Sequence, residues 1–510
     1  MPREPVIVTK SPAEWTVAAY LAGDNNLTEE MVLALQQIQS QHVFPRIRAI
    51  AQLDPSGLGI PTQRYAFLRN PLRSKYFLKD YLEPPTTPDE TNTGNPAALS
   101  DFVRWAVNEP KFITQPDDPA PEQVADCKAQ NYAVILSGHG SGSTEDFLLK
   151  DDNPEDSLSI NELGLALQDA KRYIGTKIHL FGMDACFMSM LEVCYEIRES
   201  VDLVVGAQGF EPEFGWPYHW ILDSAIKCRA AKQETVTKEE LARIIVVEYL
   251  EYYYDYDHTA GRSVDLAAIK TAGLEDLAAK VRSLVGVLIK ALENPWYAAL
   301  IVRAHAESQK FKSDQFTDLR DFCLCLQNRF EPAPDGPVRN QAMAEVGEVL
   351  TAVDGCVLIS GCSGPKYQHS WGLSLYFPWD EVADNYHSLQ FVKDTDWGKF
   401  LVAYTEATRR QIRNGMREPR DRYEHFEAAL DPLGKVVRRG LEERFRRFVR
   451  AGNFGFWGES QPPGHKYART TKYARTTKYP MSRESTVSNC EDATGILIWE
   501  PPDEPQMIRV

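Results

Sequence analysis

The sequence predicts an α/β fold, an α/β/α sandwich on a central, mostly parallel sheet, followed by a helix-rich C-terminal part. Three observations carry the prediction. Strand-like apolar runs alternate with helical periodicity through the first half of the 510-residue chain. Those runs are apolar throughout rather than alternating, as in strands covered on both faces. The second half is dominated by helical patterns, with two late strand-like runs.

Residues 15–21 read as the first strand and residues 27–39 as a helix. Residues 47–53 and 64–68 give two more strands, and a helix over 96–107 opens at Pro96, a residue suited to a first turn. A strand over 132–136, a helix over 160–172, a strand over 178–181, a helix over 187–198 and a strand over 202–207 follow. Helical patterns then cover 238–254, 274–292, 295–307, 319–330 and 341–353. Strand-like runs at 355–359 and 371–377 precede a last helix over 396–413. We therefore divide the chain into a catalytic core at 13–255, a helix-rich part at 256–415 that completes it, and a tail at 416–510.

Composition narrows the function classes. A formal net charge of −16 argues against nucleic acid as the partner, because phosphate affinity needs clustered cations. The opening residues lack a long apolar stretch, and no apolar run reaches membrane-spanning length. The nine cysteines show no pairing rhythm, and many sit in apolar runs, including Cys194, Cys323, Cys325 and Cys356. Together these give the expectation of a reduced, cytoplasmic chain that meets neither membrane nor nucleic acid.

Two segments carry chemistry. Asn131 to Gly142 is an apolar run that delivers His139 between Gly138 and Gly140; Lys177 to Met188 is another that delivers Cys186 after Asp184 and Ala185. In parallel sheets the working residues gather beyond the carboxyl ends of strands. One crossover helix separates the two strands, so a right-handed βαβ unit sets imidazole and thiol side by side. In this reading His139 is the base and acid, Cys186 the nucleophile, and the Gly140 and Cys186 amides the oxyanion donors. A helix starting at residue 187 would further favour the thiolate. A core cysteine beside a loop histidine is the plain alternative. A metal site made of His139, Asp184 and Cys186 lacks the spacing of ligands on a helix.

Beyond this pair, Leu21-Ala-Gly-Asp-Asn-Asn-Leu27, Ser137-Gly-His-Gly-Ser-Gly142, Ser159-Ile-Asn-Glu-Leu163, Met183-Asp-Ala-Cys-Phe-Met-Ser189 and Glu211-Pro through Gly215-Trp-Pro-Tyr218 stand in order. Ser263-Val-Asp-Leu266, Thr317-Asp-Leu-Arg-Asp-Phe322 and Gly372-Leu-Ser-Leu-Tyr-Phe-Pro378 continue the series. The set resembles the clostripain-type cysteine peptidases, of the same clan as caspases, gingipains and legumain, over roughly residues 13–410. The resemblance implies a caspase-like sandwich and a cysteine endopeptidase acting on protein substrates through a His139/Cys186 dyad. It also implies that Asp184 belongs to a pocket for Arg or Lys at P1, the substrate residue before the cleaved bond. Relatives strict for basic P1 often carry a second acid in the turn after the next strand. Phe214 aligns with that acid here, leaving Glu211 and Glu213 as its candidate substitutes. Asp24 and Asn25 are candidates for the substrate groove, or ordinary Asx caps.

Control follows from the same resemblance. Family members are commonly activated by a cut between the His and Cys strands, and Lys150 is the candidate processing site, by the chain itself or by an activating protease. No cofactor is required by the resemblance. Some relatives depend on calcium, and the acidic segment Asp151 to Asp156 offers oxygen ligands for a hard cation, or is simply an exposed acidic loop. In the tail, Leu433, Val437, Leu441, Phe445 and Phe448 form an apolar stripe among arginines, and Lys466 to Tyr479 repeats Lys-Tyr-Ala-Arg-Thr-Thr. The tail is a candidate inhibitory segment or docking site for a regulatory partner, or a solvated helix and spacer. A silent caspase-like binding protein and a thiol amidase acting on small molecules are the competing function classes.

Overall fold

Strand β1 (Ala13–Gly23) is buried along its whole length in the computed structural model. Its residues go alternately to two cores: Trp15, Val17, Ala19 and Leu21 to one, Ala18, Tyr20 and Ala22 to the other. A strand covered on both faces has no polar side, which is why its sequence reads as one apolar run. The structure describes residues 13–40, 46–57, 60–67, 91–108, 111–113, 123–125, 129–254, 263–312, 314–364, 366–379, 381–413 and 496–501.

The other strands are β2 (Ile47–Pro55), β3 (Gln63–Phe67), β4 (Lys111–Ile113), β5 (Gln123–Ala125), β6 (Ala129–Ser137), β7 (Leu148–Asp152), β8 (Glu155–Leu158), β9 (Ile178–Asp184), β10 (Val201–Gly206), β11 (Val264–Lys270), β12 (Lys310–Phe311), β13 (Phe316–Asp318), β14 (Val357–Ser363), β15 (Ser374–Tyr376) and β16 (Leu497–Trp499). The helices are α1 (Thr28–Ser40), α2 (Pro96–Asn108), α3 (Ile160–Ile174), α4 (Leu191–Ile197), α5 (Tyr218–Lys232), α6 (Lys238–Tyr252), α7 (Leu274–Leu292), α8 (Pro295–Glu307), α9 (Leu319–Phe330), α10 (Pro337–Cys356), α11 (Gln390–Thr395) and α12 (Trp397–Arg413).

Nine strands form the main sheet in the order β16-β14-β11-β10-β9-β6-β1-β2-β3. The five from β10 to β2 are parallel, and antiparallel strands flank them on both sides. Buried residues of α1, α5 and α6 join the core on one face. Those of α2, α3 and α4 share the core on the other face with α7 to α12. The helix-rich part therefore packs onto the same core as the first half, and β11 and β14 extend its sheet.

Local signals explain the helix ends. Helix α3 starts at Ser159, whose hydroxyl accepts from the Glu162 amide while Glu162 returns a bond to the Ser159 amide; it stops at Gly175 in the left-handed region. Helix α6 uses Thr237 and Glu240 in the same way, and α8 starts from Asn294 with Pro295 in its first turn. Such caps contribute about 1 kcal/mol each.

Four departures from the sequence reading bear on function. The helix expected from residue 187 starts only at Leu191, because Phe187 has φ 63°. The linking segment is instead bonded outward, Phe187 N–H to Gly209 O (3.0 Å) and Ser189 N–H to Ala207 O (2.8 Å). Residues 151–156 are no loop but the β7–β8 hairpin. The late run at 371–377 contributes β15 to a separate three-stranded sheet with β12 and β13. Within the tail, Leu497–Trp499 returns to pair with β14; the arginine-rich stripe and the repeat lie outside the described residues.

Candidate active site

The strand register sets the site. Strands β6 and β9 are adjacent and parallel, and Ser137 pairs with Asp184 at their carboxyl ends. His139 and Cys186 each lie two residues beyond that matched pair, so both emerge at one edge of the sheet. The crossing is close at Gly140, where a Cβ would sit 2.6 Å from the Cys186 carbonyl oxygen and 3.2 Å from its amide nitrogen. Glycine is the residue that permits this approach of two backbones.

His139 is half-buried and held on two sides. Its Nε2 lies 2.8 Å from Oδ1 of Asn26, and its ring lies 5.4 Å from that of Phe147. Burial, and then the Lys150 ammonium, hold its pKa below the ordinary 6.5, with Asp152 opposing. A neutral imidazole is the form able to take a proton. Cys186 is also half-buried, and its Sγ accepts from the Glu211 amide (3.3 Å). Because α4 starts five residues later, the expected helix N-terminus does not act on this thiol.

Beneath Cys186 lies a buried acid pair. Asp184, 4% exposed, accepts from Ser137 Oγ (2.8 Å), Tyr218 OH (2.9 Å) and the Trp216 amide (3.1 Å). Gly215, at φ 63°, permits this arrangement, since a Cβ there would meet Asp184 Oδ2 at 2.8 Å. Glu211 is the acid whose carboxyl meets that of Asp184, and its Oε1 accepts from Trp216 Nε1 (3.3 Å). Burial pushes the Asp184 carboxyl up, while its bonds with Glu211, Ser137, Tyr218 and Trp216 oppose the rise. Burial first, and then the charge of Asp184, push Glu211 well above its ordinary value. Two carboxyls in contact out of water share one proton, and the three donors on Asp184 leave that proton on Glu211. Glu213 and Phe214 are half-buried on the same turn.

Sequence reasoning missed Asn26. In the turn after β1, Asp24 and Asn25 are buried and face the hairpin: Asn25 Nδ2 donates to Lys150 O (2.6 Å), and the Asp152 amide to Asp24 O (2.8 Å). They brace the turn, and the exposed member, Asn26, reaches His139. Lys312 was missed as well. From the β12–β13 connection its Nζ donates to Ser141 O (2.8 Å) and pairs with Glu145 (3.0 Å), in the loop that follows His139.

The family model described as the clostripain family matches residues 123–404. The chain belongs to the clostripain family. It is a cysteine peptidase, and its substrates are proteins. Among solved structures, a secreted C11 cysteine protease from Bacteroides thetaiotaomicron with an irreversible peptide inhibitor is similar at 18% identity and TM-score 0.52, over 76% of this chain and 99% of that one. An inactive zymogen C11 protease from Parabacteroides distasonis is similar at 18% identity and TM-score 0.53, with the same two coverages. These likenesses show the caspase-like fold. No curated protein matches the chain.

Two expectations change with the family in place. The cytoplasmic location is overturned by the description of the Bacteroides thetaiotaomicron protease as secreted. Buried thiols gave no guide to compartment: burial, ahead of neighbouring charges, pushes Cys194, Cys323 and Cys356 up and keeps them as thiols. The acidic segment changes from a loop to a hairpin whose aspartates serve protein partners. Asp151 accepts from the amides of Thr93 and Asn153, Asp152 pairs with Lys150, and Asp156 accepts from Asn92. Among the described residues no group of three His, Cys, Asp or Glu side chains is placed to hold a metal, and no helix is long and apolar enough to cross a membrane.

Proposed function

We propose that the chain is an endopeptidase that cuts after Arg or Lys through a His139/Cys186 dyad. The observation that carries this reading is the β6/β9 register, which gives the imidazole and the thiol the same two-residue offset from the Ser137–Asp184 pair. The Cys186 sulfur, its proton taken by His139, attacks the scissile carbonyl carbon. The Gly140 and Cys186 amides face the oxyanion that forms. His139 returns the proton to the leaving amine as the C–N bond breaks, and water then hydrolyses the thioester to release the acid and the thiol. A P1 guanidinium or ammonium reaches the Asp184–Glu211 pair, whose Glu211 feels the charge of Cys186.

Latency is part of the proposal, with Lys150 as the processing site. Its carbonyl accepts from Asn25 (2.6 Å) and its ammonium pairs with Asp152 (2.5 Å), so cleavage there requires the hairpin to open. One experiment tests the reading. Wild-type, Cys186→Ala and His139→Ala proteins are incubated with Arg-P1 and Glu-P1 peptides, and both chain and peptides are followed by mass spectrometry. Cleavage after Arg, a chain break after Lys150 and loss of both in the two variants are expected. An active Cys186→Ala protein overturns the dyad, and an intact, fully active wild type overturns the processing step.

A further inference from the structure

We infer that Asn26 is a positioning residue for His139, the third member of the catalytic arrangement, fixing the ring in the tautomer that leaves Nδ1 as the base. The inference rests on the His139/Cys186 reading above.

An imidazole has two nitrogens, and in the neutral ring only one carries the proton. Which one is set by the bond the other makes. Here Nε2 lies 2.8 Å from Oδ1 of Asn26, an oxygen that only accepts, which assigns the ring proton to Nε2. Nδ1 is thereby left with its lone pair, the form needed to accept the thiol proton. Phe147 stacks obliquely on the ring at 5.4 Å, and the His139 carbonyl accepts from the Leu149 amide (3.0 Å). Backbone, ring face and Nε2 are all held.

The turn that presents Asn26 is built for the purpose. Asn25 N–H donates to Gly23 O (2.7 Å), and its side chain donates to Ala22 O (3.2 Å) and Lys150 O (2.6 Å). Its Oδ1 accepts from the Leu27 amide (2.8 Å), and Thr28 Oγ1 donates to Asn25 O (3.0 Å). Asp24 is tied through its carbonyl to the Asp152 amide (2.8 Å). Neighbours on both sides of Asn26 are thus fixed, and its own side chain reaches His139. A carboxamide there accepts one hydrogen bond without adding charge. The Asn25 caps alone would suffice to start α1, so a helix-start role leaves the Asn26–His139 bond unexplained.

The test uses full-length protein carrying Asn26→Ala, Asn26→Leu or Asn26→Asp. A general base supplies roughly 10²- to 10⁴-fold, and mis-set tautomers forfeit part of it. We expect Asn26→Ala and Asn26→Leu to lower kcat about 10- to 100-fold with KM nearly unchanged, and Asn26→Asp, which still accepts from Nε2–H, to recover most of the loss. The second readout needs no turnover. In the Cys186→Ala background, ¹⁵N-histidine NMR should show the His139 ring as the Nε2–H tautomer, identified by its loss in His139→Gln. Adding Asn26→Ala should convert it to a mixture. An Nδ1–H ring in the Asn26-containing protein, or a ring unaffected by Asn26→Ala, overturns the inference, as does a kcat drop that Asn26→Asp fails to restore. Failure of the dyad reading looks different: His139→Gln and Cys186→Ala would remain active while the tautomer still followed Asn26.

Discussion

Replacing Glu211 by Gln isolates the acid pair from the rest of the site. The substitution keeps size and one acceptor for Trp216 Nε1 but removes the second potential charge beside Asp184. Burial and the charge of Asp184 push Glu211 well above its ordinary value, which assigns the pair's proton in the free protein to Glu211. An arriving P1 cation favours its loss, and the ion so formed makes a charge-assisted bond of about 1.5–3 kcal/mol, or roughly 10- to 150-fold in rate. That gain is offset by the cost of stripping the proton, which shrinks by about 1.4 kcal/mol per pH unit as pH rises. Preference for a P1 cation should therefore grow with pH, by at most about tenfold per unit. The assay compares kcat/KM for peptides with Arg or citrulline at P1, which match in shape and differ in charge, between about pH 6 and about pH 8. The ratio cancels the ionisation of His139 and Cys186. For wild type the Arg/citrulline ratio should climb; for Glu211→Gln it should be flat and, at the upper end, lower by roughly 10-fold or more. Equal slopes in the two proteins would refute the placement of the proton on Glu211, and a ratio near one in wild type would refute the basic pocket.

The same group predicts a stability profile. The folded-state pKa of Glu211 lies well above its ordinary 4.5, so the folded protein keeps a proton that the unfolded chain has lost. Its contribution to stability is full below about 4.5 and declines as pH rises above that value. Urea midpoints should fall less steeply between about pH 5 and about pH 8 for Glu211→Gln than for wild type, and parallel curves would contradict this. At the far edge of the sheet, Trp499 is 4% exposed, packs edge-on against Trp371 and lies under the Arg320 guanidinium at 4.9 Å. Trp499→Ala should cost about 3 kcal/mol in denaturant unfolding; a change under about 0.5 kcal/mol would mean that β16 does not hold the edge in solution.

Much of the fold was legible because burial leaves a period. Helices α7, α8 and α9 fall at the residues that their apolar spacing indicates, and β1, β6 and β9 read as unbroken apolar runs because both faces are covered. Strand β11 carried the same signal in Val264 to Ile269 but was overshadowed by the helices around it. Strand β16 has three residues, too few to show any period. At the site, the glycines and reactive side chains at two strand ends marked His139 and Cys186, whereas their common offset depends on register, which no single strand encodes. The resemblance put Phe214 where relatives carry a second acid and left Glu211 and Glu213 as candidate substitutes; in the structure it is Glu211 whose carboxyl meets Asp184. Asn26 was hidden by its neighbours: three Asx residues before a helix read as caps, and two of them are buried in the turn itself.

The helix-rich part supplies more than a covering for the sheet, and its acids explain why the site cannot be reduced to the first half of the chain. Gln208, at the end of β10, is a junction. Its amide donates to Asp265 of β11 (2.8 Å), its Nε2 to Asp318 of β13 (2.9 Å), and its Oε1 accepts from the Gly372 amide (2.8 Å). Asp265 also takes the Gly209 amide (2.9 Å), and Gly209 O receives Phe187 N–H, so two bonds separate Asp265 from the residue after Cys186. Burial raises Asp265 and Asp318 to about 7 each, the cost of setting carboxyls where backbone donors need fixed acceptors. On the other loop, Lys312 holds Ser141 and Glu145 two to six residues beyond His139. Both loops that leave the strand ends are thus anchored by residues between 265 and 372. Asp265, Asp318 and Gly372 thus hold, through Gln208 and Gly209, the backbone that follows Cys186.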